Sequence, residues 1–261
     1  MILSHERKYE PMPSPTKVAV VTGGGGAFGS AIAARLSSDG FKVAVTDANP
    51  TRAAEAAALI PGAFACTLDV TDDKSVGEAM AWIAERTGRI DTVVNNAGVA
   101  PPGGMRTTEL EDFDRTLSIN LRGAYLVTSA AMEWLAHSGS EGRVIMIGSR
   151  TWLSGGNPAY TASKAGIVGL CRTVAQEIAA TGGTCNVVAP GPVNTGFVDG
   201  MGMGETRESN FERYAAQTPL QRVATPADVA AATSFFAGQD SSFITGEVLH
   251  VAGGLQLAPR L

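Results

Sequence analysis

Basic residues do not predominate in this chain. Twenty Lys and Arg stand against 25 Asp and Glu, a formal charge of −5, so no cationic footprint for a nucleic-acid backbone exists. Cysteine is scarce: Cys66, Cys171 and Cys185 are odd in number and form no CxxC spacing. That excludes a disulfide framework or zinc knuckle and points to a reduced, cytoplasmic setting. His5, His137 and His250 are scattered with no HExxH pair, so no metal site is expected. No run of about 18 apolar residues occurs, as a membrane-spanning helix requires. The opening residues carry Glu6, Arg7, Lys8 and Glu10 ahead of Pro11, Pro13 and Pro15, without the apolar centre of a signal peptide. Residues 1–16 are expected to form a tail.

What the chain does have is apolar content. Hydrophobic residues make up 44% and charged residues 17%, which excludes a disordered chain. A length of 261 residues suits a single α/β domain over residues 17–261, large enough to bury its own core. Short apolar runs read as strands buried on both faces of a parallel sheet: Val18–Val21, Phe41–Thr46, Ala63–Leu68, Asp91–Val94, Arg143–Ile147, Thr184–Ala189 and Gly246–Val251. Helical spacing recurs between them, at Ser30–Leu36, Lys74–Arg86, Glu109–Trp134, Asn157 to about Ala180, and Pro226–Ala237. Residues 196–217, with Gly200, Met201, Gly202, Met203, Gly204 and several charges, read as a mobile lid.

The first apolar run leads into Thr22-Gly-Gly-Gly-Gly-Ala-Phe-Gly29 and then into a helix. Strand, glycine loop and helix in that order suit a dinucleotide, because glycines let the backbone approach a pyrophosphate whose charge faces the helix N-terminus. The second strand ends at Asp47, 24 residues after Gly23. A carboxylate there accepts from an adenosine ribose and repels a 2′-phosphate, so NAD is favoured over NADP, with Arg52 the one nearby cation that opposes this. The fourth strand runs into Asn95-Asn96-Ala97-Gly98 and the fifth into Gly148-Ser149, which puts small and amide side chains at the edge where such sheets bind ligands. Asn120 falls inside a helical stretch, where an asparagine needs solvent or a partner.

Tyr160 and Lys164 are four residues apart on one helix and so share a face. A free phenol, with a pKa of roughly 10, is a poor base at neutrality; lowering it by about three units needs about 4 kcal/mol of differential stabilisation. A lysine beside it and a cationic cofactor ring are expected to supply that stabilisation.

The ordered set Thr22-Gly23 with Gly29, Asp47, Asp69-Val70, Asn95 to Gly98, Asn120, Ser149, Tyr160-Thr-Ala-Ser-Lys164 and Pro190-Gly191 resembles the short-chain dehydrogenase/reductase family over nearly all of residues 17–254. The resemblance implies a doubly wound, Rossmann-type parallel sheet of about seven strands in the order 3-2-1-4-5-6-7. It implies an NAD-dependent alcohol dehydrogenase or carbonyl reductase acting on a small molecule, with Asn120, Ser149, Tyr160 and Lys164 as the catalytic set. Tyr160 would be the general acid/base, Ser149 would hold the substrate oxygen, and Asn120 would anchor a water leading from Lys164 to solvent. Gly23, Gly26, Phe28 and Gly29 would hold the pyrophosphate, Asp47 the ribose, and Asp69 and Val70 the adenine. Asn96, Ala97 and Gly98 would run past the ribose, while Pro190, Gly191, Val193 and Thr195 would face the nicotinamide. From their positions next to the serine and in the lid, Arg150, Trp152, Phe197, Met201 and Met203 are the candidate substrate-pocket residues, with an outward, solvated Arg150 and a core-packed Trp152 as the alternatives. A homotetramer is implied, built on the last strand and on an apolar outer stretch, Ile167–Leu170.

Two features depart from the family pattern. Ala27 stands where the glycine loop usually has a glycine, and Ser149 lies eleven residues before Tyr160, closer than usual, which leaves Ser154 as a rival for the serine role. A NADP-linked 3-ketoacyl reductase and an NAD(H)-binding sensor are the alternatives.

Overall fold

Seven short strands, most of them rich in Val, Ile or Ala, carry the architecture in a computed structural model that describes residues 16–195 and 207–257. They are β1 (Val18–Thr22), β2 (Lys42–Asp47), β3 (Phe64–Thr67), β4 (Thr92–Asn95), β5 (Arg143–Ile147), β6 (Thr184–Pro190) and β7 (Val248–Val251). All pairings are parallel, in the order β3-β2-β1-β4-β5-β6-β7. The order reverses between β1 and β4, so a crevice opens at their C-terminal ends. The central strands are buried on both faces, as their unbroken apolar runs require.

Helices cover the two faces. On one side α1 (Ala27–Ser38) and α9 (Pro226–Ala237) pack over Val21, Val45, Val94 and Ile147; on the other α3 (Asp73–Thr87), α5 (Gly123–His137) and α7 (Pro158–Ile178) pack over Val20, Val93, Val144 and Val187. The start of α7 is fixed by Asn157, whose side chain accepts from the Tyr160 amide, with Pro158 next to it at the first helical position.

Four elements differ from the sequence expectation. A helix α2 (Pro50–Ala58) follows β2, started by Asn49, whose side chain accepts from the amides of Thr51 and Arg52. The single long helix expected from Glu109 is α4 (Leu110–Leu117), a π-helical turn (Ser118–Arg122) and then α5. Asn120 sits in that widened turn, 2% exposed, a geometry that lets a polar side chain leave the regular helix ladder. Within the connection expected after Ser149, residues Thr151–Ser154 form a short helix α6. Lastly, Arg207–Gln217 is a helix, α8, with Asn210 and Phe211 buried; a packed face makes it part of the body of the protein. The remainder of the expected lid, with Phe197, Met201 and Met203, lies outside the described residues, as does the tail up to residue 15.

Candidate active site

A cleft of about 990 Å³ opens at the C-terminal edge of the sheet, and Gly23, Asp47, Asn96, Ser149, Tyr160 and Pro190 are among the residues that line it. Its floor is the glycine loop. Gly23 takes φ +61°, in the region glycine adopts without strain, and is buttressed by Asn96, whose Nδ2 donates to the carbonyls of Thr22 and Gly23 at 2.8 and 3.2 Å. The Gly24 amide donates to the Thr46 carbonyl at 2.7 Å, which locks the loop to β2. A Cβ on Gly29 would collide with the Gly23 carbonyl oxygen, so Gly29 serves packing of α1 on the loop and is not itself part of the lining. Ala27 is the first residue of α1 and its neighbour Gly26 provides no side-chain cap. The first amides of the helix therefore face the cleft without a side-chain acceptor, which is the condition for binding an anion there.

Asp47 ends β2 and is 8% exposed. Its Oδ2 accepts from the Gly25 amide at 3.2 Å and its Oδ1 from the Asn49 amide at 3.0 Å. One carboxylate thus shapes both the glycine loop and the start of α2. Arg52 lies over the same loop: a Cβ on Gly25 would meet its backbone, and one on Gly26 would come within 3.7 Å of its Nη2. At the next strand end Asp69 Oδ1 accepts from the Thr71 amide and hydroxyl at 2.9 and 2.7 Å, and Val70 lies beside it in the lining.

Tyr160 and Lys164 face the cleft from α7, both buried. The Lys164 Nζ donates to the Ile147 carbonyl at 2.7 Å and lies 5.6 Å from the centre of the Tyr160 ring. Ser149, held directly after β5, is hydrogen-bonded to the Tyr160 side chain; Ser154 instead accepts from the Arg150 Nη1 at 2.9 Å and is exposed. The tighter Ser149 to Tyr160 spacing therefore still brings the two together. Burial pushes the Tyr160 phenol up to about 12, against a smaller lowering by Ser149. It pushes the Lys164 ammonium down to about 8. The expected acidification of the phenol rests on Lys164 together with a cationic cofactor ring; in the chain alone burial dominates and raises the phenol.

Asn120 does not line the cleft. Its amide exchanges two hydrogen bonds with the Val99 backbone at 2.8 and 2.9 Å and donates to the Ser163 hydroxyl at 3.0 Å. The side chain thus joins the residue after Gly98 to α7. Gly98, Ala97, Gly191, Val193 and Thr195 all line the cleft, as do Gly26 and Phe28. Trp152 is turned away to β7, where its Nε1 donates to His250 Nε2 at 3.1 Å with the rings 15° apart. Neither it nor Arg150 is in the lining. Arg115, Ser118, Ile119 and Pro192 line the cleft without having been anticipated. Ser118 and Ile119 had a signal in their place beside Asn120 and Pro192 in its place between Gly191 and Val193; Arg115 had none. Among the described residues no three or more His, Cys, Asp or Glu cluster as metal ligands.

The cleft fits a nicotinamide dinucleotide. The glycine cradle would be filled by Cβ atoms, the uncapped helix end suits a pyrophosphate, and a carboxylate stands at the end of the second strand. Comparison with known proteins bears on the same point. A family model described as enoyl-(acyl carrier protein) reductase matches residues 25–256. The 3-oxoacyl-[acyl-carrier-protein] reductase MabA of Mycobacterium tuberculosis is 37% identical over 247 residues, 93% of this chain and 94% of that protein. A short-chain dehydrogenase/reductase of Armillaria gallica is 39% identical, covering 93% and 97%. The L-2,3-butanediol dehydrogenase of Corynebacterium glutamicum is 34% identical, covering 92% and 98%. The chain belongs to the short-chain dehydrogenase/reductase family. It is an oxidoreductase of the kind that uses a nicotinamide cofactor.

Proposed function

We propose that the protein moves hydride between NAD(H) and a secondary alcohol or ketone of a small molecule. The observation that carries this reading is the buried Ser149, Tyr160 and Lys164 group in the lining of a dinucleotide-sized cleft. A bound nicotinamide would supply or accept the hydride, and its oxidised ring would add a positive charge beside the phenol. Tyr160 holds the proton exchanged with the substrate oxygen, and Ser149 keeps that oxygen in line with it. Lys164, tied to Ile147, holds cationic charge under the ring. Asp47 supports NAD through its repulsion of a 2′-phosphate. The Gly23 loop, Phe28, Asp69, Val70, Asn96 to Gly98, Pro190, Gly191, Val193 and Thr195 are the cofactor contacts in this reading.

Arg52 over the glycine loop and the likeness to a 3-oxoacyl reductase favour one second reading, a NADP-linked reductase of 3-oxoacyl thioesters. Incubation with 2,3-butanediol and NAD+, or with acetoacetyl-CoA and NADH or NADPH, followed at the nicotinamide absorbance, tests both. Turnover only with NADPH would replace the first reading by the second, and turnover with neither cofactor would leave the sensor alternative.

A homotetramer belongs to the same proposal. Leu117, Leu121, Tyr125 and Leu170 line a surface groove on α4, α5 and α7, and Phe243 and, on β7, the edge strand among the described residues, Leu249 are exposed. Of the expected outer stretch, Ile167 and Val168 belong to the chain's own core, so Leu170 and Tyr125 are the residues offered to a second copy. Light scattering at micromolar concentration checks it, with a monomer mass as the contrary result.

A further inference from the structure

Helix α6 is four residues long, Thr151–Ser154, and none of them is buried. It follows Ser149 closely and is bonded to it twice: the Thr151 amide donates to the Ser149 Oγ and the Trp152 amide to the Ser149 carbonyl, each at 3.3 Å. A hydroxyl has one hydrogen and two acceptor directions. With an amide held against its oxygen, the Ser149 hydroxyl keeps its hydrogen for a partner in the cleft, where it meets Tyr160.

A single helical turn does not hold itself in water, so the place of that amide depends on what α6 is fastened to. The chain leading into it is tied to β6, where the Arg150 amide donates to the Pro190 carbonyl at 2.9 Å. Most side chains of the turn add nothing beyond it. Arg150 donates to Ser154, Ser154 to the Gly155 carbonyl, the Thr151 hydroxyl has no partner, and Leu153 is 54% exposed. Among the described residues, Trp152 is the one side chain of α6 that hydrogen-bonds another element. Its Nε1 donates to His250 Nε2 at 3.1 Å, with the two rings stacked 15° apart, and His250 stands on β7 opposite Ala189 of β6. The turn is thus tied to β6 before its start and to β7 through its middle.

We propose that Trp152 and His250 are positioning residues for Ser149: their side-chain bond holds α6 to β7, and α6 presents the amide that orients the Ser149 hydroxyl toward a substrate oxygen. This deepens the hydride-transfer reading of the cleft and rests on it. The acceptor in the pair is a nitrogen that takes up a proton in mild acid. Once protonated, Nε2 faces the indole N–H as a second donor, and the tie is lost. Burial holds His250 below 6.5, so the tie is whole at neutral pH and opens only below that value. The charges on the surrounding elements are engaged or directed elsewhere. Arg150 is bonded to Ser154, and Lys164 of α7 to the Ile147 carbonyl, while Arg172 and Glu177 of α7 are exposed. Strand β6 carries no charged residue, and its Cys185 thiol is pushed up by burial. Glu247 is exposed and, three places before His250, falls on the opposite face of the strand.

The test compares wild type with His250→Gln and His250→Phe in the full chain. Glutamine offers the indole an amide oxygen that does not titrate, whereas phenylalanine keeps a ring and offers no acceptor. Turnover is measured at neutral pH with acetoacetyl-CoA and NADH or NADPH, and with 2,3-butanediol and NAD+. The reduction is then followed from about pH 7.5 down to about pH 5, across the range in which an imidazole titrates. NADH affinity is measured by nicotinamide fluorescence, and Trp152 emission in proteins with Trp82 and Trp134 replaced by Phe. At neutral pH His250→Phe is expected to lower kcat about tenfold, the scale of one weakened hydrogen bond in the transition state, with NADH affinity unchanged. His250→Gln is expected to keep kcat within about threefold of wild type. Wild type is expected to lose kcat below pH 6.5 with the midpoint of its Trp152 emission shift, and His250→Gln to show neither change. Wild-type kcat in His250→Phe, or the same acid loss in His250→Gln, overturns the positioning role and leaves the hydride-transfer reading standing. A wild type that turns over neither probe with any of these cofactors overturns both.

Discussion

Lys164 and Tyr160 are buried side by side, the ammonium 5.6 Å from the centre of the phenol ring and bonded at 2.7 Å to the Ile147 carbonyl. Desolvation holds the lysine down at about 8 and the tyrosine up at about 12. The unfolded chain therefore binds more protons at Lys164 between pH 8 and 10.5, and native stability rises with pH across that window. The Tyr160 phenol acts in the opposite sense, and only above pH 10. Lys164→Met removes the first effect: wild type should gain up to about 3 kcal/mol relative to the variant between pH 7 and about pH 10. Urea unfolding at the two pH values checks it, and parallel pH curves for the two proteins would contradict it.

Asp47 binds two backbone amides as well as facing the cleft, so its removal has two consequences. Asp47→Ala should lower stability by about 1 kcal/mol, the cost of losing hydrogen bonds to two part-buried amides. It should also weaken NADH binding while improving NADPH binding, because Arg52 remains over the loop. Arg52→Gln in that background should cancel the gain. Fluorescence titration with both cofactors decides it; an unchanged NADH to NADPH ratio in Asp47→Ala would remove the carboxylate from cofactor choice.

Gly29→Ala places a methyl against the Gly23 carbonyl, and backbone cannot move aside as a flexible side chain can. The variant should lose about 1–3 kcal/mol of stability and bind NADH far more weakly than wild type. Gly40→Ala, where the structure offers open space but φ is +93°, should destabilise while leaving NADH affinity intact, which separates strain in general from damage to the loop.

His250 accepts the Trp152 indole proton through Nε2, so that nitrogen carries no proton of its own. Burial holds the imidazole below its ordinary value of 6.5. The bond is complete at neutral pH, and the stability linked to it is lost as pH falls from 6.5 through the lower folded value. With Trp82 and Trp134 replaced by Phe, the Trp152 emission should shift to longer wavelength on acidification through that range, and His250→Phe should abolish the transition. An unchanged transition in His250→Phe would assign it to another group.

Much of this fold was legible before any coordinates. The strands announced themselves as brief β-branched runs closed by Gly, Asp or Asn, and Pro158 and Pro226 mark true helix starts. Helix α2 was not legible from periodicity, because Ala53, Ala56, Ala57 and Ala58 give a weak apolar stripe, although Asn49-Pro50 was a start signal. Arg207–Gln217 looked like a loop because its charged residues leave no apolar stripe to announce the buried Phe211. The cleft residues at strand ends could be placed because the sheet fixes where strands end. Trp152 could not, since its partner lies 98 residues away. Nor could the direction of the Tyr160 shift, which depends on how deeply α7 is buried, a property of packing and not of spacing.

The account stands on Tyr160 as the group that exchanges a proton with substrate. Tyr160→Phe removes only the hydroxyl from a buried ring, so the fold and the cleft persist. With NADH affinity measured by fluorescence and turnover of acetoacetyl-CoA or 2,3-butanediol measured in the same preparation, the account predicts unchanged affinity and a fall in kcat of about 10²–10⁴-fold. Turnover within about threefold of wild type at unchanged NADH affinity would contradict it.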